Sequence, residues 1–203
     1  MLKLCLTAAY EKHLIGNVVD KICLPKTVSK DVKVLTKQEQ KRLEQVIEAE
    51  NKENDIGILI CLYTGIRIGE LCALKWENIN LDRKIMTIDK TMYSVQSNDG
   101  KCKTKIILSS PKSVNSERDI PIAELLSEKL SKIQKSEGFV INRNGKYIEP
   151  AVYSRRYKKL LEKAGIEYMM FHSTRHTFSV RARELGVDVQ TLSEILGHSS
   201  VST

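Results

Sequence analysis

The sequence predicts an α+β domain, mainly helical, with one small antiparallel sheet set between two helical stretches. Three observations carry this. Apolar residues recur at helical spacing over 35–47, 56–76 and 123–196. Runs with strand character fall between them, at 84–95, 105–109 and 118–122, separated by turn-forming residues. With 203 residues, 41% of them hydrophobic and only 10 Gly and 4 Pro, the chain can fill one substantial core with a fragment of a second domain beside it.

Taken in order, residues 1–17 read as the end of an amphipathic helix with Leu4, Leu6, Ala8, Ala9 and Leu14 as its apolar members. Residues 18–32 lack a clear period, carry Pro25 and read as a linker, so the main domain occupies 33–203. Its first helix starts at Thr36, whose hydroxyl can cap the backbone while Glu39 bonds back, the pattern of a capping box; Leu43, Val46 and Ile47 continue it. Ile56–Tyr63 is an apolar helix broken by Thr64-Gly65, and Ile68–Trp76 reads as the next helix, with Leu71, Ala73 and Leu74 buried. After the strands, helices are expected at 123–136, 150–164, 173–185 and 188–196, with a turn at Asn142–Gly145.

Composition narrows the function classes. No apolar run approaches the roughly 18 residues of a membrane span, and the start is too polar for a signal peptide, so the protein reads as cytosolic. The five cysteines form no CxxC pair; Cys61 and Cys72 sit in apolar helical patterns as small core residues, and a disulfide framework is not expected. A net charge of +8 favours a polyanionic partner.

Four motifs carry chemistry. In TGIRIGELCALKW, Arg67 follows a glycine turn at a helix start, where guanidinium and backbone N–H groups converge on an anion. Glu70, three residues on, is placed to hold it; an ordinary surface ion pair is the plainer alternative. In FHSTRHTFSVRARELG, His172 and Arg175 are three apart, which sets an imidazole beside a fixed cation, suited to a phosphodiester whose charge grows during displacement. His172 and His176 also have zinc-ligand spacing, but Ser173 stands where a zinc hydrolase helix needs Glu, and Arg175 opposes a dication. In LSEILGHSS, Gly197 can end a helix and His198 can then donate to a phosphate oxygen, or simply cap the helix end. Lys112, in the turn SSPKSVNSERDIP, can swing into a groove and protonate a leaving alkoxide, although a solvated turn lysine is the default and Lys101, Lys103 and Lys105 compete for the role.

That ordered set, TGIRIGEL, PKS…RDIPI, FHSTRHTF and LGHSS, resembles the tyrosine recombinase (phage integrase) family over residues 33–203. The resemblance implies the family's mainly helical catalytic domain, with residues 1–17 similar to the last helix of the preceding core-binding domain. It implies that Arg67 and Arg175 grip the scissile phosphate and that His172 handles the nucleophile's proton. By the same resemblance Lys112 is general acid to the 5′-oxygen, His198 donates to phosphate and Glu70 supports the arginine. The implied reaction is site-specific cutting and rejoining of double-stranded DNA through a 3′-phosphotyrosyl intermediate, for a mobile element such as a phage or transposon, with neither cofactor nor metal. The family's tyrosine lies about nine residues past the position of His198, beyond Thr203, and Tyr63, Tyr153, Tyr157 and Tyr168 match no nucleophile position. The expectation is therefore a C-terminally truncated, cleavage-inactive fragment, monomeric, from a parent that acts as a tetramer on paired sites in the bacterial cytoplasm. A type IB topoisomerase and a binding-only DNA-binding fragment are the competing readings.

Overall fold

The computed structural model describes residues 2–12, 33–96, 104–109 and 117–197. The chain divides into two compact units, Met1–Asp31 and Val32–Thr203. In the first, helix α1 runs over Leu2–Glu11.

The second unit opens with helix α2, Lys37–Glu50, and its start follows the local rule expected of it. The Thr36 hydroxyl accepts from the Glu39 N–H at 3.2 Å, and the Glu39 carboxylate accepts from the Thr36 N–H at 2.8 Å. Helix α3, Ile56–Thr64, is buried at every position but Tyr63 and forms the centre of the core. A helix apolar on all sides needs neighbours on all sides. It packs against helix α5 (Glu124–Ser131) and helix α7 (Ser173–Glu184), and the core extends to Tyr153, Tyr157, Leu160 and Leu161 of helix α6 (Pro150–Lys163).

The next helix, α4, covers only Ile68–Ala73, shorter than the periodicity predicts. Leu74 turns extended, its carbonyl bonds to the Val140 N–H, and Trp76–Asn78 form a separate 3₁₀ turn. Burial of Leu74 and Trp76 mimics helical spacing although the backbone has left the helix. Helix α5 likewise ends at Ser131 rather than near 136.

The strands form three small antiparallel sheets rather than one. Strand β1 (Ile79–Asn80) pairs with β2 (Ile85–Ile88), and β2 pairs with β5 (Arg118–Pro121), Met86 opposite Ile120 and Ile88 opposite Arg118. Strand β3 (Thr91–Gln96) pairs with β4 (Thr104–Ser109) as a separate hairpin, so the run 84–95 is two strands that change partner at Asp89-Lys90. The turn at Asn142–Gly145 lies in a third hairpin, β6 (Asn142–Arg143) with β7 (Lys146–Tyr147). Helix α8, Val189–Leu196, closes the described chain with an Asp188 N-cap and Gly197 at its end in the left-handed region, φ 65°. It is held to α7 by a small apolar cluster, Ala182, Leu192 and Leu196 with Phe178 and Val187, set apart from the main core.

Cys61 and Cys72 are buried core residues, as their pattern predicts; burial pushes both thiols up, that of Cys72 to about 12. Among the described residues no helix is long and apolar enough to cross a membrane.

Candidate functional site

The site begins at the turn after α3. Gly65 ends that helix at φ 70°, and a Cβ there would stand 2.5 Å from Phe178 Cδ1 and 2.7 Å from Leu196 Cδ2. Both the backbone sign and the close approach of α7 and α8 require glycine. The turn delivers Arg67 to the position just before α4 in an extended conformation. Glu70, on the first turn of α4 and 6% exposed, accepts from the Arg67 N–H at 2.8 Å and from Arg67 Nη1 at 2.9 Å.

Arg175 reaches the same place from the first turn of α7. It is 3% exposed; Nη1 donates to the Gly65 carbonyl at 2.8 Å and Nη2 to the Leu196 carbonyl at 2.7 Å. Burial, then repulsion by Arg67, pushes its pKa down to about 10, which still leaves the guanidinium charged at neutral pH. Arg67 makes longer contacts to the same helix end, Nη1 to Leu196 O at 3.4 Å and Nη2 to Gly197 O at 3.3 Å, and 41% of its side chain faces solvent. The two predicted arginines thus converge on the last carbonyls of α8. One is sunk in the protein and the other is open.

A third arginine joins them that sequence reasoning did not single out. Arg118, at the start of β5, donates Nη2 to Glu70 Oε2 at 2.9 Å, Nη1 to Glu70 Oε1 at 3.2 Å and Nε to the Ile195 carbonyl at 2.6 Å. The signal was present in RDIPI. Side chains alternate along a strand, so Arg118 shares a face with Ile120, which is 1% exposed, and an inward arginine demands a partner. Burial tends to raise the Glu70 pKa, but bonding and proximity to Arg118, then Arg67, outweigh it, and the net shift is downward. Glu70 is a carboxylate at neutral pH, and three guanidinium groups around one carboxylate leave a net charge of +2.

His172 stands exposed at the N-cap of α7, with its ring edge-to-face on that of His176 at 4.6 Å between centroids. Among the described residues no group of three or more His, Cys, Asp or Glu is placed to hold a metal. Burial, then Arg175, lowers the His176 pKa. The neutral imidazole is therefore the folded form at pH 7. As pH falls through about 6.5 the unfolded chain takes up the proton first, and stability drops. We expect the His176 ring signals to titrate in NMR with a midpoint below that of a free histidine; a midpoint above it would show that neither burial nor Arg175 governs the ring.

Lys112 and His198 lie outside the described residues, as do Lys101 and Lys103; Lys105 is exposed on β4. Tyr153 and Tyr157 are core residues, Tyr63 bonds to Glu44 at 3.0 Å, and Tyr168 is exposed beneath the Lys158 ammonium.

A mainly helical domain thus gathers arginines from a glycine turn, a strand and a late helix around one helix end. The model of the phage integrase family matches residues 33–203, and the chain belongs to that family. It is 29% identical over 206 residues to the tyrosine recombinase XerC-like protein of Caldanaerobacter subterraneus subsp. tengcongensis, covering 90% of this chain and 52% of that one. It is 31% identical over 188 residues to tyrosine recombinase XerA of Pyrococcus furiosus, covering 89% and 57%. The chain thus spans little more than half the length of these relatives. Its fold is that of the Tn1549 transposon integrase, solved in complex with a circular intermediate DNA, with a TM-score of 0.78 at 21% identity over 98% of this chain and 69% of that one. It is also that of XerA recombinase, with a TM-score of 0.66 at 22% identity over 98% and 66%.

Proposed function

We propose that this chain is the strand-exchange domain of a site-specific DNA recombinase of a mobile element, an integrase or transposon recombinase. The carrying observation is the convergence of Arg67 and Arg175 on one helix end, with Glu70 holding Arg67. Two fixed cations in a partly dry site suit a phosphodiester that gains charge as it is displaced.

In this reading a tyrosine hydroxyl attacks the scissile phosphorus. His172 takes up the hydroxyl proton, the 3′-phosphotyrosyl bond forms, and the P–O5′ bond breaks. Lys112 gives its proton to the departing 5′-oxygen, and the 5′-hydroxyl of another strand later reverses the step. Arg67, Arg175 and His198 hold the non-bridging oxygens throughout. The phosphodiester bond energy stays in the phosphotyrosyl link, so the cycle is balanced without an external energy source. In this reading the attacking tyrosine belongs past the position of His198. In the same reading the protein works on duplex DNA as a tetramer on paired sites in the bacterial cytoplasm.

The test uses the complete protein in EDTA with nicked duplexes tiled across the DNA that flanks its gene. A covalent protein–DNA adduct through a tyrosine past His198 is the expected product on a denaturing gel. Clear binding with no adduct on any duplex would identify a binding-only relative. For the 203-residue chain, affinity for duplex DNA should fall roughly 10³-fold or more between about 50 and 200 mM salt, because phosphate contacts dominate. A flat salt response would refute the phosphate-gripping site.

A further inference from the structure

We infer that Arg118 is a positioning residue for the phosphate-gripping site. Its guanidinium takes up the charge of Glu70 and fixes the end of α8, so that Arg67 keeps both its place and its free positive charge. The inference rests on the function proposed above.

Arg118 does not itself meet a ligand: its side chain, like that of Glu70, is 7% exposed. Its planar fork is spent in two directions. Both Nη atoms face the Glu70 carboxylate and Nε faces the Ile195 carbonyl. Three consecutive carbonyls at the end of α8 accept from three arginines, Ile195 from Arg118, Leu196 from Arg175 and Gly197 from Arg67. The last carbonyls of a helix have no partners within it and form its negative end, so cations seat there with both hydrogen bonds and dipole in their favour. The contact is close enough to constrain the sequence. A Cβ on Gly197 would stand 3.0 Å from Arg118 Nη1, 3.1 Å from Cζ and 3.2 Å from Nε, which places the backbone after α8 flat against the guanidinium.

Charge explains why the site needs this third arginine. Glu70 bonds to the Arg67 backbone and side chain, and alone it would neutralise the cation it orients. Arg118 shares the same two carboxylate oxygens, so Glu70 holds Arg67 in place while the cluster stays positive. These polar contacts act on α8 beside its apolar ones, the small cluster with α7 and Ile195 against the main core.

The test is R118K in the 203-residue protein. Lysine keeps the charge but has a single ammonium, which cannot serve Glu70 and Ile195 together in a fixed fork. Inorganic phosphate is titrated while the arginine Nε–H signals of Arg67 and Arg175 are followed by NMR. We expect R118K to melt cooperatively and to weaken phosphate binding about tenfold, equivalent to about 1.4 kcal/mol. Because Arg118 acts through Arg67, the loss in R67K/R118K should equal that in R67K alone; a purely structural role would give losses that add. Wild-type phosphate affinity in R118K, or full additivity, overturns the inference. If R118K does not fold, R118Q removes the charge that offsets Glu70 while keeping a donor for its carboxylate, and wild-type affinity there overturns it equally. Wild-type protein whose Arg67 and Arg175 signals ignore phosphate would instead refute the functional reading and this inference with it.

Discussion

Glu70→Ala should lower the unfolding free energy by about 3–5 kcal/mol, the range found when one member of a buried ion pair is removed. The reason is what remains behind. Arg118 would keep its charge in a setting where 7% of the side chain meets solvent and would lose the Glu70 carboxylate that both its Nη atoms face. The Arg67 N–H would lose its acceptor as well. Urea denaturation with an unchanged m-value measures the loss. The pH dependence gives a second check on the same group. Glu70 has a folded pKa below its unfolded one, so the unfolded chain binds its proton first as the solution is acidified. Its contribution is present in full above the ordinary carboxylate value of about 4.3 and is lost as pH falls through the lower folded value. Glu70→Gln should remove this part of the acid limb. Wild-type stability in Glu70→Ala would mean that Arg118 finds another counter-ion.

Arg175→Ala is the second large effect, and it acts on chemistry and structure together. In the complete protein it should lower covalent adduct formation at least about 10²-fold, the usual cost of losing one preorganised donor to a developing charge. It should also cost stability, on the order of 2–4 kcal/mol, because the Gly65 carbonyl would lose its side-chain donor in a buried setting and the Leu196 carbonyl would keep only the longer bond from Arg67. Arg175→Lys separates the two. Lysine keeps a charge near the carbonyls and recovers part of the stability, but it lacks the fork that spans both. The comparison is adduct yield on a denaturing gel against melting temperature. Adduct at the wild-type level in either variant would show that the His-x-x-Arg motif is misassigned.

Burial of Arg175 also changes what its motif implies. The spacing of His172 and Arg175 suggests a matched pair on one helix. In the fold His172 stands exposed at the helix entrance beside His176, while Arg175 is drawn inward by two carbonyls. The open cation is Arg67.

What the sequence determined by itself is local. The Thr36–Glu39 box, the breaks at Gly65 and Gly197, the Arg67–Glu70 pairing three residues apart and the burial of Cys61 and Cys72 follow from dihedral preferences and side-chain period within a turn or two. The ordered motifs carried the family on the same footing. What only the tertiary structure decided is which of those pieces meet. Strand alternation cannot name a partner, so the run 84–95 read as one strand until β2 paired with β5 and β3 with β4. A buried Leu74 and Trp76 kept helical spacing although the backbone is extended at Leu74 and forms a 3₁₀ turn at Trp76. Arg118 finds Glu70 across 48 residues and the Ile195 carbonyl across 77, and Arg175 finds Gly65 across 110. Such bonds form because α3, α7, α8 and β5 bury their apolar faces together and leave helix-end carbonyls and one carboxylate in need of donors, a demand that packing creates and sequence spacing does not display.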